Sequence, residues 1–68
     1  MLNGILKLNM DSNRLEVVDG ENRYELRCGD QLEVFASGQW ERTRAEIDVN
    51  GQWYLVGLRE CLGLSARI

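Results

Sequence analysis

The chain has 68 residues, enough for one domain and too few for a second. Eight basic against 11 acidic residues leave a net charge of −3, which argues against a general phosphate-binding surface. There is no histidine, which removes Ser-His and Cys-His nucleophile pairs, the usual base near neutral pH and the commonest metal ligand. From the start, Gly4 to Leu8 reads as a strand, and Asp11-Ser12-Asn13 as a turn. Arg14 to Val18 is a second strand with Leu15 and Val17 on one side. A turn at Asp19-Gly20-Glu21-Asn22 leads to a short extended piece, Tyr24 to Leu26, and Gly29-Asp30 turns into a strand at Leu32 to Phe35. Ser37-Gly38 precedes a strand from Trp40 to Val49, and Asn50-Gly51 precedes one from Gln52 to Val56. Leu58 to Leu64 lacks alternation and reads as a turn or one short 3₁₀ segment, and Ala66 to Ile68 is placed to close the sheet. Turn signals about every ten residues with short alternating runs between them are the pattern of an all-β domain.

Two of these turns set a register. Taken as a two-residue type I′ loop, Asn50-Gly51 sets Asp48 opposite Trp53, Ile47 opposite Tyr54 and Ala45 opposite Val56. Ser37-Gly38, read the same way, sets Phe35 opposite Trp40, Glu33 opposite Arg42 and Leu32 opposite Thr43. Alternation then sorts the side chains. One face carries Leu32, Val34, Thr43, Ala45, Ile47, Tyr54 and Val56 and is expected to be the core. The other carries Glu33, Phe35, Trp40, Arg42, Arg44, Glu46, Trp53 and Leu55, a mixture of charge and large aromatics.

An apolar meander must bury its face, and the early strands with Ile68 are the only material available. The expectation is therefore one domain over residues 1–68, a small barrel or a highly curved antiparallel sheet of five to six short strands. A chain this short buries only roughly 60% of its unfolded surface, so its core is thin. Cys28 and Cys61 are expected as reduced, partly buried thiols, because no secretion signal precedes them and two cysteines make no disulfide framework. They do not complete a four-ligand zinc site, and no metal or cofactor is expected. No stretch approaches the about 20 apolar residues of a membrane span, and a cytoplasmic location is the expectation.

The run Glu25-Leu26-Arg27-Cys28-Gly29-Asp30-Gln31-Leu32-Glu33-Val34 is followed by Gly38-Gln39-Trp40, Thr43-Arg44, Trp53-Tyr54-Leu55-Val56-Gly57, Leu62-Gly63-Leu64 and Arg67-Ile68. In that order, and more weakly with Gly4-Ile5-Leu6, these motifs resemble a small uncharacterised family of bacterial domains, mainly from Firmicutes. The resemblance implies an SH3-like barrel and a genomic setting near mobile-element genes, and it brings no activity with it.

No constellation in the sequence points to catalysis. Glu33 and Glu46 lie beside Arg42 and Arg44, where ion pairing accounts for them better than acid–base work. The glycine turns belong to no strand–loop–helix phosphate cradle. The sharpest cluster is Phe35, Trp40, Arg42, Arg44 and Trp53. Aromatics interleaved with arginine grip a partner's side chains or stack on bases, whereas in a thin domain the same tryptophans serve as cover under the loops. The expected function is a non-enzymatic protein-interaction or self-association module, with a protein partner or a homodimer. The alternative is a nucleic-acid-binding accessory of a mobile element, disfavoured by the acidic balance. Neutralisation of Arg42 and Arg44 by Glu33, Glu46 and Asp48 would weigh against nucleic acid.

Overall fold

The protein's structure, a computed structural model, describes residues 2–68 and leaves Met1 outside. The turns cut it into β1 (Asn3–Asn9), β2 (Arg14–Asp19), β3 (Asn22–Glu25), β4 (Gln31–Ala36), β5 (Gln39–Ile47), β6 (Trp53–Leu55) and β7 (Ser65–Arg67). They form one sheet in the order β3-β2-β1-β7-β4-β5-β6, every pairing antiparallel. The all-β expectation holds. The short piece near Tyr24 is a strand in its own right, which brings the count to seven, and no ladder joins β3 to β6 to close a barrel. Residues 58–64 are turns and bends with no 3₁₀ segment. Among the described residues no helix is long and apolar enough to cross a membrane.

Two three-stranded meanders, β1–β2–β3 and β4–β5–β6, are joined by β7, which pairs with β1 on one side and β4 on the other. Alternation puts Leu6, Leu15, Val17, Leu32, Val34, Ala45, Leu55 and Ala66 on the inner face, and Leu26 joins them from the β3–β4 connector. Among the described residues no helix covers that face, and the sheet curls over itself. Trp53 Nε1 donates to Asn13 O at 2.8 Å and Asn13 Nδ2 to Gly51 O at 3.2 Å, linking the start of β6 to the start of β2 across four intervening strands. Gly4 allows the curl, since a Cβ there would collide with the backbone carbonyl of Val18.

The Ser37-Gly38 turn has both residues at positive φ, 54° and 81°, and the β4–β5 register matches the sequence reading pair for pair. The Asn50-Gly51 turn does not. Ala45 stands opposite Leu55, Glu46 opposite Tyr54 and Ile47 opposite Trp53, one residue away from the expected pairing. The reason is Asp48. Its Oδ1 accepts from Asn50 N at 2.8 Å and Gln52 N at 2.9 Å, while Gly51 N donates to Asp48 O. The loop is thereby three residues, Val49-Asn50-Gly51, with the left-handed position at Gly51. A one-residue slip exchanges the faces of a strand. Leu55 is in the core and Trp53 packs against it, whereas Tyr54 and Val56, expected inside, are exposed.

Both cysteines are free, Cys28 exposed and Cys61 half-buried. Burial pushes the Cys61 thiol above its ordinary value, so it holds less thiolate than an unburied thiol would, and it is also less accessible than the exposed Cys28. A thiol-specific alkylating agent at neutral pH should therefore modify Cys28 first, with Cys61 following as the pH rises. Equal rates read by mass spectrometry would contradict that. Gly4→Ala should cost about 1–3 kcal/mol in chemical denaturation because a backbone carbonyl must move. Gly51→Val should cost about 1–3 kcal/mol and Gly51→Asn less, since the left-handed φ of 81° excludes a β-branched residue and is tolerated by Asn. An unchanged midpoint for Gly51→Val would mean the turn is not built as described.

Candidate recognition face

The Ser37-Gly38 turn fixes the outer face of β4 and β5. Phe35 lies directly opposite Trp40, with ring centroids 5.6 Å apart and planes at 75°, an edge-to-face contact. Arg67 enters from β7. Its guanidinium lies 4.0 Å from the centroid of the Trp40 ring, and its Nε meets Glu33 Oε1 at 3.0 Å. Glu33 orients the guanidinium and Trp40 supplies a π face beneath it, so Arg67 is held from two directions. Trp40 remains 37% exposed and Phe35 44%.

Two shallow depressions flank these rings. Arg42, opposite Glu33 in the ladder, lines an open cleft of about 230 Å³ with Gln31, Glu33, Arg67 and Ile68. On the other flank Trp40 borders a wider groove of about 570 Å³ with Ile5, Val18, Ser65 and Arg67. The face thus offers aromatic and aliphatic surface edged by guanidiniums.

The five residues singled out from sequence separate in space. Phe35, Trp40 and Arg42 come together as expected. Arg44 lies on the same face, but its Nε is held by Glu46 Oε2 at 2.6 Å, and Cys28 Sγ donates to the other oxygen of that carboxylate at 3.2 Å. Trp53 does not belong. The register slip turns it to the inner face, where it packs against the core and donates to Asn13 O. Arg67 and Ile5 are the additions. Ile5 carried a signal, being an apolar residue out of phase with Leu6 in the first strand. Arg67 carried none beyond its alternation with Ala66, because the strands beside β7 are not readable from local pattern.

The electrostatics are nearly balanced. Glu33 is taken by Arg67 and Glu46 by Arg44, and Arg42 makes no ion pair among the described residues. One unpaired guanidinium gives a local preference for a carboxylate and falls short of a groove that tracks a phosphate chain. No group of three or more metal-ligating side chains occurs among the described residues. What this face presents for contact is stacking surface, apolar area and the Arg42 guanidinium as a charge-assisted hydrogen-bond donor.

No curated protein matches the chain. It is similar to the crystal structure of a protein from Ruminococcus gnavus, a structural-genomics target, with 31% identity and a TM-score of 0.84 over 98% of this chain and 100% of that one. The family model described as a domain of unknown function, DUF5348, matches residues 4–68, and the chain belongs to that family.

Proposed function

We propose that this chain is a non-enzymatic, cytoplasmic protein-interaction module of SH3-like character that binds a protein partner through Phe35, Trp40, Arg42 and Arg67. The observation that carries this reading is Trp40. Its ring lies on the face away from the core and is 37% exposed, while aliphatic residues fill the core from the other side. A domain with little apolar area to spare has left two aromatic rings outside, packed edge-to-face, and braced one of them, Trp40, with Arg67, the arrangement of a pre-ordered anchor. Support for a protein over nucleic acid comes from the acids: Glu33 and Glu46 each occupy an arginine of the same face, and the net charge is −3. The absence of histidine and the use of both these carboxylates in ion pairs support a role without catalysis.

The test is to recover the partner with the tagged protein from its native cell extract, treated with nuclease, and then titrate the purified partner. Trp40→Ala should weaken binding by about 2 kcal/mol or more. Its melting should fall only by the equivalent of about 1–2 kcal/mol, the worth of one aromatic pair and one cation–π contact. A partner lost on nuclease treatment would support nucleic acid instead. A loss of about 3–5 kcal/mol in stability would return Trp40 to the core.

A further inference from the structure

We propose that the free edge of β3 is a self-complementary docking strand whose occupant is β3 of a second copy of this chain, running antiparallel about Tyr24. β3 ends the sheet and pairs only with β2. Along an antiparallel strand the N–H and C=O groups of successive residues point alternately to one neighbour and the other. Leu26 N donates to Leu15 O on the β2 side, so by alternation Asn22 and Tyr24 also direct their backbone toward β2. Arg23 and Glu25 then direct theirs to the open edge. Antiparallel pairing about Tyr24 sets Arg23 of each copy opposite Glu25 of the other. Both are residues with outward backbone groups, so each pair exchanges two N–H···O bonds.

The side chains ask for the same register. Within one chain Glu25 stands opposite Glu16, a cross-strand pair of like charge. Glu16 is only 4% exposed and is served by Arg23 at 3.6 Å and by Asn9 Nδ2 at 3.3 Å. Glu25 makes no ion pair among the described residues. In the pair, Arg23 of the second copy lies beside Glu25 from the open side. With Lys7 opposite Glu16 on the far side, the two acids are bracketed by two bases. On the other face Tyr24, 46% exposed, meets Tyr24 of the second copy at a non-hydrogen-bonded position, where side chains approach most closely. A slip of two residues in either direction sets arginine against arginine or glutamate against glutamate. The charges that deter indiscriminate strand addition at an exposed edge therefore select one register of self-pairing.

Sedimentation of the full chain over a concentration series reads this directly, with circular dichroism confirming that each variant is folded. The wild type is expected to show a reversible monomer–dimer equilibrium below about 1 mM. Amide exchange at Arg23 and Glu25 should slow as concentration rises, while other exposed amides do not change. Arg23→Glu and Glu25→Arg should each dimerise at least about tenfold more weakly, because like charges then oppose each other. An equimolar mixture of the two should recover a heterodimer, since one chain then carries two acids and the other two bases at this edge. Trp40→Ala, on β5, should dimerise as the wild type does, which keeps this inference separate from the recognition face. A chain that stays monomeric to about 1 mM overturns the proposal. So does a dimer whose Arg23 and Glu25 amides gain no protection, or a mixture of the charge variants that remains monomeric.

Discussion

The structure depends on three residues near its end. β7, Ser65–Arg67, pairs with both meanders, and its central residue, Ala66, is fully buried between Gly4 and Val34 in the ladders. Without β7 each meander would present an apolar face to water and gain a second bare edge, at β1 or β4. Its pairing with β1 closes a loop of nearly the whole chain, at an entropy cost the local hairpins avoid. The hairpins can therefore form early, but the core is complete only when the last strand has docked. Leu2 and Ile68 exchange backbone bonds beyond the ladder, and Leu6 does so with Leu64 and Gly63. The chain thus secures β7 on both sides of its three paired residues.

How far the sequence could be read follows from which interactions are local. The Ser37-Gly38 register was legible because two residues decide it: both take positive φ, and nothing nearby competes. The Asn50-Gly51 register was misread for an equally local reason. Asp48 offers its carboxylate to two backbone N–H groups, which lengthens the loop by one residue and inverts β6. The spacing of Asp48 to Gly51 fits a turn ending in a left-handed glycine as well as it fits a two-residue loop, and the side-chain cap decides between them. Strand existence was readable except at β3, a four-residue strand too short to show more than an extended piece in the sequence. Strand order was not, since the place of β7 between β1 and β4 depends on packing between segments far apart in sequence.

The same division explains the candidate recognition face. Phe35 and Trp40 share a hairpin, so their meeting followed from the turn. Arg67, which holds Trp40 in place, arrives only through β7. The constraint that completes the core thus also braces the aromatic pair. Ala66 and Arg67 are neighbours in one strand with opposite duties, the first filling the space between the meanders and the second pinning an exposed ring. A change in β7 that disturbed its docking would be felt on both faces at once.

The sheet remains open because its two ends are joined by other means. At one end of the gap between β3 and β6, Asn13 bonds to Gly51 and Trp53. Beside it, the connector from Leu26 to Asp30, which leads the chain from β3 to β4, is bonded to β2 on one side and to β5 on the other. Leu26 N bonds to Leu15 O, and Gly29 N and Asp30 O bond to Ala45. Arg27 N and Asp30 Oδ2 brace the connector at 2.8 Å. Leu26, fully buried, fills from this connector the space that a closing ladder would otherwise line. With the core sealed in this way, β3 and β6 have no need to pair. The outward backbone of β3 is left over, and its side chains, all exposed, are charged or polar except Tyr24. In a barrel those groups would be consumed by closure; here side-chain and loop bonds close the core and the strand keeps an edge.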